Sequence, residues 1–248
     1  MKCDYFIFIP AYNVADTLAG VLQKIPDAVW PNSYIQVIDD GSVDGTRETF
    51  ENFAADMCET LKKSRLRYMR FEQNQGYGAV VKRGVAEGIR SGAKFVACLH
   101  GDGQYPAEKL GEFFDYLKTH EVALVQGSRR LVRGGARAGN MPLYKRVGGS
   151  FLTAVENLFF RQKLTDRHSG FIVYAADFLK TVHFEKLSPS FDIDLELISI
   201  ADAHGFELAE LPIPTRYAGE KSNLNVITYG IRVLRQVVRR RFSSQIKN

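Results

Sequence analysis

An alternation in the first half of the chain constrains its fold more than any other feature. Short apolar, β-branched or aromatic runs occur at Tyr5–Ile9, Tyr34–Ile38, Leu66–Phe71, Phe95–Leu99 and Val122–Val125. Between them lie stretches with apolar residues at helical spacing. Leu18, Val21, Leu22 and Ile25 mark one, Ala79, Val80, Val85, Ala86 and Ile89 a second, and Leu110, Phe113, Phe114 and Leu117 a third. Short apolar strands separated by amphipathic helices build βαβ units. The expected class is therefore α/β, with a mainly parallel, Rossmann-like sheet and flanking helices. Further on, Leu143–Arg161 and Asp192–His204 read as helices, the second stopped by Gly205 at a C-cap position. Glu207–Ile213 reads as a final strand.

In such sheets ligands bind outside the carboxyl ends of the strands. The segments that follow the strands are Pro10-Ala-Tyr-Asn13, Asp39-Asp-Gly-Ser-Val-Asp-Gly45, His100-Gly-Asp-Gly-Gln104 and Gly127-Ser-Arg129. They bring acids, amides and glycines to one edge. After them, residues 128–142 form a loop with Arg129, Arg130, Arg133 and Arg137 and no acid. A loop of that length is usually functional or disordered.

The segment from Leu99 to Pro106 is the richest in chemistry. An acid at the end of a buried strand is costly unless something pairs with it. Flanking glycines let a ligand approach the backbone closely. A carboxylate on Asp102 with the Gln104 amide oxygen two residues on suits a hard divalent cation, which completes its shell with phosphates and water. The simpler alternative is a turn in which Asp102 caps the helix beginning near Pro106. Asp39-Asp40-Gly41-Ser42 carries two acids able to bond a base edge and ribose hydroxyls, and also fits a plain turn. Gly76-Tyr-Gly78 lacks the third glycine of a dinucleotide fingerprint, so it reads as an ordinary turn with a tightly packed helix.

Charge separates the two ends of the chain. The net charge is +5 over 248 residues. Residues 216–248 hold eight Lys/Arg against Glu220, a net +7, so the first 215 residues stand at −2. That distribution argues against a nucleic-acid-binding protein, which presents a broad basic surface. It suggests a local anionic partner for the C-terminus. There Ile227, Ile231, Leu234 and Val238 recur at helical spacing with interleaved arginines. The pattern suits a helix lying on an anionic membrane surface, or one packed on the core with solvated arginines. The expected organisation is one domain over 1–215 and a basic helical extension over 216–248. Cys3, Cys58 and Cys98 are an odd, scattered set, which indicates neither a disulfide framework nor a thiolate metal site and suits a reducing cytosol. No signal-peptide pattern and no run of about 18 apolar residues is evident. The expected location is cytoplasmic, peripheral at the membrane, with a membrane-protein partner a further option.

Taken in order, these segments resemble the family 2 glycosyltransferases, which have the GT-A fold. The match is closest to the branch containing dolichol-phosphate mannose synthase and bacterial polyprenyl-phosphate glycosyltransferases. It is carried by Ile9-Pro-Ala-Tyr-Asn13, Ile38-Asp-Asp-Gly-Ser42, Asp102-Gly-Gln-Tyr-Pro106, Gly127-Ser-Arg129, Asp166-Arg-His-Ser-Gly-Phe171, Asp194-Leu-Glu196, Pro212–Tyr217 and Glu220-Lys-Ser222. The resemblance implies an inverting transfer from a GDP- or UDP-linked sugar to a polyprenyl or dolichyl phosphate. A hydroxyl on a glycan, glycolipid or protein is the alternative acceptor. Pro10, Tyr12 and Asn13 would lie at the nucleotide, with Ile38, Asp39 and Asp40 at base and ribose. Asp102 and Gln104 would hold Mg²⁺ or Mn²⁺ against the diphosphate. Arg129, Arg216 and Lys221 would meet phosphates. A hydroxyl acceptor needs a general base; Asp166 is the first choice, with Asp194 and Glu196 behind it. A lipid phosphate is already ionised, and Asp166 would then only position its loop. The chain departs from the family at one point: an acid usually stands two residues before the metal-binding Asp, and here it is His100. That residue could ligate, contact ribose or pack.

Overall fold

The computed structural model describes residues 3–57, 60–132, 143–160 and 163–214. Seven strands form one sheet: β1 (Tyr5–Ala11), β2 (Ser33–Asp39), β3 (Leu66–Arg70), β4 (Phe95–Cys98), β5 (Leu124–Ser128), β6 (Ile172–Ala175) and β7 (Leu208–Pro212). Their order is β3-β2-β1-β4-β6-β5-β7. Pairing is parallel except at β6, which runs antiparallel to both β4 and β5. The sheet is mainly parallel, as the alternation implies.

Both faces of this sheet are covered, which explains why its strands read as unbroken apolar runs. Successive side chains of a strand point to opposite faces. Tyr5, Ile7 and Ile9 of β1 join a core with Leu18, Leu22, Trp30, Phe113 and Phe114. Phe6 and Phe8 join a second core with Val81, Val85, Tyr174, Leu197 and Ile198. The helices that supply these faces are α1 (Leu18–Gln23), α2 (Thr46–Asp56), α4 (Tyr77–Arg90), α5 (Leu110–Thr119), α7 (Ala176–Leu179) and α8 (Ile193–Ala203); α3 (Thr60–Arg65) and α6 (Leu143–Phe160) are the other helices described.

Helix α8 ends as Gly205 predicts. Gly205 has φ +76°, its N–H donates to the Asp202 carbonyl (3.1 Å), and the Phe206 N–H reaches back to Ala201 (3.0 Å). This paired pattern is a Schellman termination. The sequence reading placed no strand at Ile172–Ala175 and no helices at Thr46–Asp56 and Thr60–Arg65. Helix α2 buries only Thr46 and Phe50, so its apolar stripe is too thin to register as a period. The extension from 216 lies outside the described residues, and so does the helix expected over Ile227–Val238.

Candidate active site

Strand order reverses between β1 and β4, since β1 leads to β2 and β3 on one side and β4 to β6 on the other. A crevice opens outside the carboxyl ends at such a switch point. The turns after β1 and β4 meet at this point. The Gly101 N–H donates to the Pro10 carbonyl (3.0 Å), and Thr17 Oγ1 donates to the Gly101 carbonyl (2.7 Å). A Cβ on Gly101 would stand 3.0 Å from that Pro10 oxygen, so glycine is what lets the two turns close up.

Asp102 follows on this turn and is half-buried. One of its carboxylate oxygens accepts the Gln104 N–H at 3.0 Å, an Asx-type turn, and Gly103 takes the left-handed conformation at φ +73°. The first helical turn downstream is Ala107–Lys109, with Pro106 at its N-cap and no side-chain cap. Asp102 therefore organises its own turn and does not cap that helix. Among the described residues no group of three or more His, Cys, Asp and Glu side chains is placed to form a closed cation cage. Asp102 with His100 beside it is instead a partial donor set. That fits a cation whose remaining positions are filled by phosphate oxygens and water.

His100 is held on three sides. Its Nε2 lies 3.1 Å from the Tyr77 hydroxyl, its ring meets Tyr105 edge-on at 5.0 Å, and a Cβ on Gly170 would come within 2.7 Å of Nε2. Burial lowers its pKa, with Asp102 pulling the other way. Behind it, Tyr77 donates to Asp194 Oδ2 (2.9 Å) and Tyr174 to Asp194 Oδ1 (3.4 Å). Burial pushes the Asp194 carboxyl up to about 7 against these two hydroxyls.

The paired acids after β2 divide in role. Asp39 is fully buried. Its Oδ1 accepts the Ser42 N–H (2.8 Å) and Oγ (2.5 Å), and its Oδ2 meets the Tyr68 hydroxyl and Arg70 Nε at 3.4 Å. A carboxylate offers about four acceptor positions, so Asp39 is committed to the scaffold. Among the described residues, Asp40 accepts just the N–H groups of Gln75 (2.7 Å) and Gly76 (2.9 Å), which leaves acceptor capacity for a ligand. Burial raises its pKa, and those two donors oppose the rise. Ile38 has no exposed surface and packs with Phe8, Val80 and Val81. It is a core residue, which corrects the expectation that its side chain reads the base. Tyr12 is 38% exposed beside the crevice. Asn13 ties two loops: its N–H donates to Ser42 Oγ (2.9 Å) and its Oδ1 accepts the Val43 N–H (2.9 Å).

Asp166 and Arg129 form a second pole. Arg129 grips the Asp166 carboxylate through Nε (2.6 Å) and Nη2 (2.9 Å), and its backbone N–H adds a third contact (3.2 Å). Burial alone would raise the Asp166 pKa; the adjacent guanidinium outweighs it and holds the group below the usual value. A carboxylate so held is a weak proton acceptor. The turn carrying Asp166 is pinned by Glu210 on β7, which accepts the N–H groups of Thr165 (2.6 Å) and Asp166 (2.9 Å). Gln126 of β5 bonds the Ser169 carbonyl (2.6 Å). Glu210, Gln126, Tyr77 and Tyr174 were not singled out from sequence. Each sits in a strand or helix pattern read for packing, and only the tertiary pairing reveals its use. Arg216 and Lys221 lie outside the described residues.

A crevice at a switch point, with an acidic, glycine-flanked turn on one wall, is the architecture of a GT-A glycosyltransferase. The fold is shared with glucosyl-3-phosphoglycerate synthase from Mycobacterium tuberculosis. Its complex with UDP aligns at a TM-score of 0.67 and 17% identity, over 96% of this chain and 80% of that one. Its complex with Mg²⁺ and UDP aligns at 0.66 and 18%, over 95% and 77%. The model of glycosyl transferase family 2 matches residues 6–182, and the chain belongs to that family. Its relatives include a UDP-N-acetylglucosamine–dolichyl-phosphate N-acetylglucosaminyltransferase of Methanococcus voltae, 24% identical over 86% of this chain and 85% of that protein. Another is an undecaprenyl-phosphate mannosyltransferase of Micrococcus luteus, 25% identical over 83% and 80%.

Proposed function

We propose that the chain moves a sugar from a GDP- or UDP-linked donor to a polyprenyl or dolichyl phosphate, with inversion at the transferred carbon. The donor's nucleoside lies against Pro10 and Tyr12 with Asp40 as its acceptor, and its diphosphate lies at the Asp102 turn. Asp102 and His100, with Gln104 next to them, are the residues that would hold Mg²⁺ or Mn²⁺. Such a cation supplies charge stabilisation to the departing diphosphate. Arg216 and Lys221 are expected to add to it from the C-terminal side. Arg129, held in place by Asp166, is the residue expected to meet the acceptor phosphate.

One observation carries the acceptor reading. Every carboxylate that the sequence offers as a general base is already engaged: Asp166 with Arg129, Asp194 with Tyr77 and Tyr174, and Glu196 with the Ser188 N–H at 2.6 Å. A hydroxyl acceptor requires a proton acceptor; a lipid phosphate, already ionised, does not. The names of the relatives above point the same way. A hydroxyl acceptor remains as a second reading, favoured by the raised pKa of Asp194. No helix among the described residues is long and apolar enough to cross a membrane. We place the enzyme on the cytoplasmic membrane surface, drawn there by the basic 216–248 segment.

The test is transfer of radiolabelled sugar from GDP- and UDP-sugars to polyprenyl phosphate, alongside glycan and glycolipid hydroxyl acceptors. Label is expected in the lipid-phosphate product alone. Label only on hydroxyl acceptors would overturn the acceptor reading. Neither transfer nor donor binding under any condition would overturn the donor reading as well.

A further inference from the structure

The position where the family usually has an acid is occupied by an imidazole, and that imidazole is the end of a part-buried hydrogen-bond chain. A phenol has one proton to donate. Tyr77 gives its proton to Asp194 Oδ2 at 2.9 Å, so its oxygen is an acceptor toward the ring nitrogen 3.1 Å away. The Tyr77 oxygen, which also has the Cys98 thiol at 3.6 Å, and the Gly170 backbone, which hydrogen-bonds the ring and lies against Nε2, both call for an N–H on Nε2, which leaves the unshared pair of the ring on Nδ1. The Tyr174 hydroxyl, on the other carboxylate oxygen at 3.4 Å, keeps Asp194 turned toward Tyr77. The ring has little room to flip, because Tyr105 meets it edge-on and Gly170 lies against Nε2. A carboxylate that orients an imidazole through its second nitrogen is the arrangement that prepares histidine as a ligand; here a tyrosine is interposed.

We propose that Asp194 and Tyr77 are positioning residues that present His100 Nδ1 beside Asp102, and that His100 thereby sets the cation specificity of the site toward Mn²⁺ and away from Mg²⁺. This rests on the donor and cation reading above. The chemical reason is ligand preference. Mg²⁺ is held through carboxylate, phosphate and water oxygens, whereas an imidazole favours first-row transition ions. Replacing an acid with an imidazole removes one negative charge and one oxygen donor, and both changes weaken Mg²⁺ more.

The experiment reads cation binding directly on the full chain. Mn²⁺ and Mg²⁺ are titrated calorimetrically with UDP present, and in a parallel arm with GDP. Pulsed electron paramagnetic resonance of bound Mn²⁺ then looks for the ¹⁴N coupling of a coordinated imidazole. The wild type is expected to show that coupling and to favour Mn²⁺ strongly. His100→Asp should abolish the coupling and shrink the Mn²⁺/Mg²⁺ affinity ratio by tenfold or more. Tyr77→Phe keeps the ring and should weaken Mn²⁺ by about 10-fold to 100-fold, the usual effect of losing an orienting partner. In the His100→Asp background the same change should do nothing further, because the two act through one contact. Bound Mn²⁺ without nitrogen coupling in the wild type would overturn the proposal, whatever the variants do. So would an unchanged cation ratio in a folded His100→Asp protein. If Asp194 were instead the general base, Asp194→Asn would stop turnover with Mn²⁺ affinity intact, which also overturns it. Absence of nucleotide binding with either cation would sink this inference together with the donor reading. Nucleotide binding with no cation preference would sink this inference alone.

Discussion

At the scale of single residues, neighbouring acids with the same sequence credentials do different work. Asp39 and Asp40 are adjacent, yet among the described residues one is filled by Ser42, Tyr68 and Arg70 and the other is held by two backbone N–H groups. The Asp-Asp pair is legible in the sequence; the division is not, because Tyr68 and Arg70 come from another strand. Asp39→Ala would leave buried donors unpaired, a loss of about 1–3 kcal/mol each at such sites. Urea unfolding should show a midpoint shift of that order. An unshifted midpoint would return Asp39 to ligand binding. Among the described residues, the Asp102 side chain is hydrogen-bonded within its own turn and to no distant element. Asp102→Asn should therefore leave the unfolding midpoint near wild type and reduce transfer by about a hundredfold or more, the order lost with one electrostatic stabiliser. Equal losses of stability and activity would count against this separation.

At the scale of elements, the long periodic segments were readable and the thin ones were not. Helices α4 and α5 and strands β1, β2 and β4 carry strong apolar patterns and fall where the pattern puts them. Strand β6 is only Ile172–Ala175, next to a segment rich in polar residues, and its antiparallel pairing with β4 and β5 is a long-range choice. The Gly76-Tyr-Gly78 turn shows what sequence spacing can exclude and what it cannot supply. The spacing rules out a dinucleotide fingerprint, and the real reason for the glycines is steric. The Gly78 N–H donates to the Pro189 carbonyl at 3.0 Å, and a Cβ on Gly76 would come within 2.9 Å of that oxygen. A Cβ on Gly78 would collide with the Pro189 backbone. Gly78→Ala should force residues 188–190 off the start of α4. Amide exchange in Ser188–Ser190 should rise, and Tyr77 should lose its register with Asp194. Gly205→Ala is milder: with φ at +76° and no neighbour in the way, only the strained cap is felt, about 1 kcal/mol. A larger loss from Gly205→Ala than from Gly78→Ala would contradict this assignment of the two glycines.

At the scale of the whole molecule, buried ionisable groups contribute to the response to pH, and they do not all pull one way. Burial raises Asp194 and Glu156 to about 7, with Arg167 opposing the rise at Glu156. An acid with a raised pKa binds its proton in the folded state while the unfolded chain has released it, so stability falls as pH climbs from about 4 to about 7. His168 is lowered to about 4 by burial. Its unfolded form takes up a proton first on acidification, so it adds stability as pH rises from about 4 to about 6.5. His168 faces Glu156 at 3.4 Å, so these two opposing slopes largely cancel over that window. Asp194 has no such opposing histidine beside it among the described residues. Asp194→Asn keeps an oxygen for a tyrosine hydroxyl and removes the charge that burial penalises. The variant should gain on the wild type steadily between pH 4 and 7 and no further above it. Urea midpoints of both proteins at pH 5, 6, 7 and 8 check this. A difference that stays flat across pH 5–7 would mean that Asp194 is ionised in the fold throughout, which would require a buried cationic partner rather than two phenols.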